Sequence, residues 1–499
     1  MRNFVHVILW GEDIGSLMWR KERRNSYFVY NPSYLTKLEE PFPLVAPKTN
    51  KLMLSFSGEE QRIYQHLPSF IADSLPDDWG NVLFQQWVSD QKLSDADVTP
   101  LDKLIFIGKR GMGALEFEPD TSPTPYREPI NIGELSRLAK RIFVERENAH
   151  ILPDEMLTKQ LLLAVGTSAG GRQPKAIIAI NRETGEIRSG QVAGLDGYDY
   201  YIIKFGEKER CTAELEMTYH QMALAAGIEM MPSRLLDADG EKHFATLRFD
   251  RPNGEKLHLQ TLAAMDPDAD SYEKLLLVCR RLHLPDAATD EVFRRMVFNY
   301  LANNTDDHHK NFSFLMNKKG EWSLSPAYDL TYIFNRGGFQ PESSHCLLMR
   351  GKYDRWTRED VSLFATKYGV NDPEKIIRQV VDAVMQFRSL AEQNGVRQEL
   401  IGRIEATIQE HLREWGVSAE HREEEWTATD GNRISNPYVE QAYKGNYHLF
   451  ATINGRPKRF IIRRGTADYD YIEKIGMYQL SAAQLRALIE HCLIAKGNG

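Results

Sequence analysis

A stripe of apolar residues, Val292, Phe293, Met296, Val297, Tyr300 and Leu301, runs directly into the polar stretch NNTDDHHKNFSFLMNKKGEWSLSPAYDL at 303–330. The stripe has helical spacing behind the capping pair Thr289/Asp290, and so predicts a buried helix. A buried helix is a rigid mount, and the loop that leaves it can hold side chains in fixed places. The runs FSFLM and EWSLS around the turn NKKG predict a hairpin, which returns Asp329 of PAYDL to the side of Asn311. Helix, polar loop, hairpin and acid, in that order, restrict the chain to folds with a helical platform that carries a loop at its edge.

Around this platform the periodicity changes. Residues 1–120 alternate β-like runs, VHVILW and KLIFIGK, with turns and one helical stretch from LPDDWG at 75–80. From Gly166 to Phe249 strands dominate: KAIIAI, the turn NRETGEI, YDYYIIKF, a helix from Glu214 to Ala226, and HFATLRF. Beyond 270 helices take over. One starts at Asp372-Pro373 and carries Ile376, Ile377, Val380, Val384 and Phe387; another carries Leu400, Ile401, Ile404, Ile408 and Leu412. After Trp415, Asn454-Gly455 predicts a hairpin and Ser481 with Gln484 a capped helix, in an appendage of its own. The reading is four parts: 1–120, 121–250, 251–417 and 418–499.

At 499 residues the chain exceeds one hydrophobic core. Its formal charge of -8 argues against bulk attraction to nucleic acid and leaves only local basic patches. One such patch is Arg456, Lys458, Arg459, Arg463 and Arg464 along the appended hairpin, which is either a DNA-binding surface or a solvated face. The four cysteines, Cys211, Cys279, Cys346 and Cys492, form no Cys-x-x-Cys pair and read as reduced thiols. With no basic leader and no long apolar run, the sequence predicts a cytoplasmic protein with no membrane span.

The chemistry is in the loop. Asp306 and Asn311 stand five apart, the spacing D-x-x-x-x-N, in which an Asp orients an attacking hydroxyl and accepts its proton while the Asn holds Mg²⁺. Asp329 is a second oxygen ligand, and an oxygen-only set suits Mg²⁺. Adjacent imidazoles make no zinc site unaided, so His308 is assigned to bracing the loop and Lys310 to facing the transferring phosphate. Upstream, GTSAGGRQPK, with Gly166, Ser168, Gly170, Gly171 and Lys175, is a glycine-rich turn whose N–H groups can approach phosphate. GKRGMG at 108–113 is a decoy of the same type. Order separates the two, because only the 166–175 turn is followed closely by Lys204 in YIIKF, which can pair with α- and β-phosphates and with a helix glutamate, Glu216.

GTSAGGRQPKA, YIIKF, LRFDR and NTDDHHKNF…PAYDL in sequence resemble the HipA family of serine/threonine kinase toxins over about residues 1–415. LPDDWG and IGKRGMGALEF are similar to that family's N-terminal subdomain. The resemblance implies an α+β, protein-kinase-like two-lobe fold, with a β-rich N-lobe, a helical C-lobe, an N-terminal α+β subdomain and a small C-terminal α+β appendage. It implies Asp306 as catalytic base, Asn311 and Asp329 on Mg²⁺, Lys204 on the phosphates of ATP and Phe249 at the adenine hinge. It further implies autophosphorylation at Ser168, a protein substrate, and restraint by a small DNA-binding, HipB-like antitoxin, with DNA contacted indirectly or through the tail hairpin. Leu247 departs from the pattern, standing where the family carries an acid. The competing readings are a small-molecule or lipid kinase and a catalytically silent regulator that binds an antitoxin or DNA.

Overall fold

A computed structural model describes residues 4–48, 53–56, 64–94, 98–123, 128–146, 151–166, 171–192, 194–334 and 344–417, and the backbone of 426–427, 433–441, 446–453, 456–464 and 469–473. The chain divides into two compact units, Met1–Trp415 and Gly416–Gly499.

The first unit begins with an antiparallel sheet of order β4-β3-β2-β1-β5, made of β1 (Phe4–Leu9), β2 (Glu12–Arg20), β3 (Asn25–Tyr30), β4 (Leu54–Phe56) and β5 (Leu115–Glu118). Alternation turns Val5, Val7 and Leu9 inward, onto Leu17, Phe28 and Phe42. Helices α1 (Ser69–Ala72), α2 (Asp78–Asp90) and α3 (Pro100–Ile107) follow, and α1 and α3 close this core through Phe70, Ile71, Leu101, Leu104 and Ile105.

Helix α3 corrects the expectation of a β-like run at KLIFIGK. Thr99 and Asp102 form a capping box, Pro100 occupies the first turn, and the apolar run is buried on every side, Phe106 against Phe84 and Val88. A short run buried all round carries no period by which strand and helix differ, and here the cap decides.

The second sheet, of order β7-β6-β8-β10-β9, comprises β6 (Lys175–Asn181), β7 (Ile187–Ser189), β8 (Tyr198–Lys204), β9 (Ser233–Ala238) and β10 (Glu241–Leu247). Helices α4 (Ile132–Glu145) and α5 (Met156–Val165) cover one face of it, packing Leu135, Leu138, Ile142 and Leu162 on Ile178, Ile180 and Ile203. Helix α6 (Thr212–Ala225) follows β8.

A short sheet, β11 (His258–Thr261), β12 (Ser313–Met316) and β13 (Trp322–Leu324), then joins helices α7 (Leu262–Met265), α8 (Tyr272–Arg281), α9 (Asp286–Leu301), α10 (Arg358–Tyr368), α11 (Pro373–Val384), α12 (Phe387–Asn394) and α13 (Gln398–Glu414). Helix α9 starts a turn before the expected Thr289/Asp290 cap, behind Pro285 and with Asp286 in its first turn. The Asp290 carboxylate instead accepts from the Asn371 N–H at 2.8 Å. The helix expected to run to Phe387 ends at Val384, and Phe387 opens α12.

In the second unit β14 (Trp426–Thr427), β15 (Arg433–Gln441), β16 (Asn446–Ile453), β17 (Arg456–Arg464) and β18 (Tyr469–Glu473) form an antiparallel meander in chain order. β16 and β17 pair up to Ile453 and Arg456, and the expected Asn454-Gly455 turn and Ser481 helix lie outside the described residues. No helix among the described residues is long and apolar enough to cross a membrane.

Gly113 has φ +74, and a Cβ there would lie 2.9 Å from the Leu259 backbone N, whereas Gly111 meets nothing nearer than 3.5 Å. Gly113→Ala is expected to destabilise the protein by about 2 kcal/mol in urea denaturation, and Gly111→Ala by less than about 0.5 kcal/mol.

His258 is fully buried, bonds to the Pro41 carbonyl at 3.0 Å, and burial lowers its pKa to about 4 from 6.5. The unfolded chain therefore binds the extra proton between those values, and stability falls as pH drops through that window, by up to ~3 kcal/mol from this residue. His258→Gln is expected to flatten that limb of the stability–pH curve; an unchanged slope would refute the assignment.

Candidate active site

Alternation along β8 sorts its side chains. Ile203, with Phe205 beyond it, joins the core under α4 and α5, so Lys204, Ile202 and Tyr200 take the opposite face. Lys175 of β6 is the cross-strand partner of Lys204. Helix α6 supplies Glu216, and the Lys204 ammonium donates to both Glu216 and Asp329.

Burial works against the Lys204 charge, but Asp329 and Glu216 outweigh it and hold the ammonium above its ordinary pKa. Burial also opposes the Asp329 charge, and Lys204 and Lys175 overcome it, keeping the carboxylate well below the usual range. Burial raises Glu216. Lys175 is lowered by burial and by the neighbouring Lys204.

The loop after α9 holds the other candidates. The Asn311 side-chain amide donates to the Asp306 carbonyl at 2.7 Å, leaving Oδ1 as its acceptor. His308 accepts from the Lys310 N–H at 3.2 Å, and its Nε2 lies 4.0 Å from Asp306, whose side chain is 39% exposed. The bracing expected of His308 is thus local. Burial lowers the pKa of the adjacent His309 to about 4. After the β12–β13 hairpin, the Tyr328 hydroxyl donates to the Lys310 carbonyl at 2.7 Å and pairs with Ser313 at 2.6 Å. Asp329 follows with φ +59, a left-handed conformation uncommon for a residue with a Cβ.

Of the glycine-rich turn, Ser168 and Gly170 lie outside the described residues, and its two ends are described. Gly166 ends α5, where a Cβ would meet Leu83 at 2.6 Å. Gly171 has φ +106, and a Cβ there would meet Lys175 Nζ at 2.5 Å. Its N–H donates to Asp77 at 3.0 Å, and the other oxygen of Asp77 accepts from Lys310 at 2.6 Å. The Trp79 indole donates to the Lys175 carbonyl at 2.9 Å. Lys310, expected to face the phosphate, is thus paired with Asp77.

Sequence reasoning missed Asp77 and Trp79. Their signal was the LPDDWG segment itself, read as a helix start and as part of the N-terminal resemblance but given no role in the site. GKRGMG also has a purpose. Arg110 donates to the Leu163 and Ala164 carbonyls at the end of α5, at 2.7 and 2.9 Å. The Gly113 N–H meets Asp250 of LRFDR at 2.7 Å. Arg248 and Arg251 hold Asp250 ionised well below the usual carboxylate range, against its complete burial.

Phe249, from the same motif, lies 5.6 Å from the Tyr328 ring and lines a cavity of about 480 Å³ with Tyr198, Tyr200, Leu247, Leu315 and Leu324. Tyr198 and Tyr200 share the Lys204 face of β8, and at ~3.3 Å per residue Tyr200 sits ~13 Å along the strand from Lys204. Among the described residues no three His, Cys, Asp or Glu side chains converge as a metal site. Asp329 and the Asn311 amide oxygen are hard donors that fit Mg²⁺ better than a thiophilic ion.

A β-rich layer with a cross-paired lysine, over a helical lobe with a polar loop at its edge, is a kinase-like fold. Residues 5–118 match the HipA N-terminal domain and residues 167–387 the HipA-like C-terminal domain, and the chain belongs to the HipA family. The fold is similar to a Shewanella oneidensis MR-1 structure described as the toxin-antitoxin system HipA, HipB and its operator DNA complex. The TM-score is 0.59 at 15% identity, over 82% of this chain and 97% of that one. A putative kinase of Haemophilus influenzae is 26% identical over 290 residues, 50% of this chain and 82% of that protein. The putative kinase Y4dM of Sinorhizobium fredii is 25% identical over 231 residues, 42% and 56% of the two.

Lys204→Met leaves Glu216 and Asp329 without their shared cation. We expect a loss of about 3 kcal/mol or more of stability in urea denaturation, because breaking a buried pair strands its charges. A loss under about 1 kcal/mol would mean that the pair is a solvated contact.

Proposed function

We propose that the protein is an ATP- and Mg²⁺-dependent serine/threonine protein kinase, the toxin of a toxin-antitoxin pair. The observation that carries this reading is the Lys204 ammonium shared by Glu216 and Asp329. A lysine in that setting is oriented for the α- and β-phosphates, and the acid beside it for the metal. Mg²⁺, when bound through Asp329 and Asn311, supplies charge neutralisation at the β- and γ-oxygens.

In this reading the chain's own residues position the nucleotide and manage one proton. The β8 face and the Phe249 cavity take the base, and the 166–175 turn with Lys175 takes the phosphates. Asp306 orients a serine or threonine hydroxyl and accepts its proton as the oxygen attacks the γ-phosphorus. The bond to the β–γ bridging oxygen breaks, and ADP leaves.

The same reading takes 1–120 as the subdomain that steadies the nucleotide turn, 121–250 and 251–417 as the two lobes, and 418–499 as an appendage whose β17 carries the five basic residues. The expected partner is a small DNA-binding antitoxin of the HipB kind, in the cytoplasm, with DNA approached through that partner or through β17.

Purified protein with radiolabelled ATP and Mg²⁺ tests this. We expect transfer to protein, including phosphate on Ser168 by mass spectrometry, and a loss of about 10²–10⁴-fold in Asp306→Ala. Label entering only small molecules would point to a metabolite kinase, and no transfer at all would sink the proposal.

A further inference from the structure

We infer that Asp307, beside the proposed base, is the positioning residue that sets Asp306 against Asp329; the inference rests on the roles proposed above for those two acids. The adjacent carboxylates differ sharply in setting. Asp306 is 39% exposed at its side chain, while Asp307 is 1% exposed and meets three donors. These are the Tyr272 hydroxyl at 2.7 Å, His345 Nδ1 at 2.9 Å and the Cys346 N–H at 2.7 Å.

The direction of the hydrogen bonds behind Tyr272 is fixed by donors and acceptors alone. The Thr331 N–H donates to Asn304 Oδ1 at 3.4 Å, and Asn304 Nδ2 donates to Asn299 Oδ1 at 2.9 Å. Asn299 Nδ2 then donates to the Tyr272 hydroxyl at 3.0 Å, so that the one hydroxyl proton goes to Asp307. Thr331 is two residues after Asp329, and His345 and Cys346 lie further down the same chain. Asp307 therefore closes a ring that ties Thr331, two residues after Asp329, and His345 and Cys346 to the loop that carries Asp306.

Asn299, Asn304, Tyr272, Asp307 and His345 are each at most 2% exposed, while Thr331 and Cys346, which join through their backbone N–H groups, are half-buried. His345 is further held in a stack, 4.5 Å from the Trp356 ring, which in turn stacks on Tyr300 of α9 at 5.2 Å. Only a carboxylate satisfies three donors at once. An amide offers one acceptor oxygen and turns N–H groups on a remaining donor.

The test compares wild type, Asp307→Asn and Tyr272→Phe by hydrogen-exchange mass spectrometry and by steady-state phosphotransfer. We expect exchange in peptides covering 303–311 and 328–332 to speed up together, by about tenfold in Asp307→Asn and about fivefold in Tyr272→Phe. We expect kcat to fall by about tenfold or more in Asp307→Asn, because a small misplacement of a reacting group is costly. Nucleotide affinity should stay within about twofold, a split that general destabilisation does not produce. If Asp307→Asn does not fold, Tyr272→Phe, which deletes one hydroxyl, carries the same readouts. Unchanged exchange and kcat would overturn the inference. Wild-type protein that transfers no phosphate would overturn the kinase reading, and the exchange rates would still decide the anchor.

Discussion

The fold turns on where the Lys204 ammonium goes. It leaves a strand of the second sheet and ends on two carboxylates, Glu216 from α6 and Asp329 from beyond the β12–β13 hairpin, so three separate elements share one charge. Lys175 faces it across the ladder. Two cations and two anions lie together in a setting where any one of them alone would be expensive. The group is balanced as it stands.

The N-terminal layer is part of the same construction. Asp77 holds Gly171 with one oxygen and Lys310 with the other, Trp79 holds the start of β6, Arg110 holds the end of α5, and Gly113 holds Asp250. Arg110 does so while buried, and that burial lowers the guanidinium to about 9. Four contacts thus fix the ends of the glycine-rich turn and the LRFDR segment from outside both lobes. A rigid frame around that loop is what the proposed positioning of a nucleotide requires.

Much of this was legible in the sequence, and for physical reasons. The stripe from Val292 to Leu301 became α9 because its spacing is helical, the FSFLM and EWSLS runs paired because a turn separates two short strands, and Lys204 sat across from the core because strands alternate. Glu216 was found by the same logic, as the acid one helix beyond that lysine. The misses have separate physical causes. KLIFIGK is apolar on all sides and has no readable period. Thr289/Asp290 was an adequate cap, outdone by Pro285 a turn earlier. Asp77 and Asp307 act through partners more than 30 residues away in the chain, a relation that no local pattern encodes. The Asp77 partner of Lys310, which was expected to face the phosphate, lies more than 200 residues away and has no local signal either.

The balanced group of Lys175, Lys204, Glu216 and Asp329 is the central claim, as the seat of a nucleotide with its metal. Calorimetric titration with a non-hydrolysable ATP analogue, with and without Mg²⁺, tests it most directly. The account predicts binding that strengthens about tenfold or more with Mg²⁺ in the wild type and loses that increment in Asp329→Ala. Binding indifferent to Mg²⁺, or no binding to the folded wild-type protein, would contradict it.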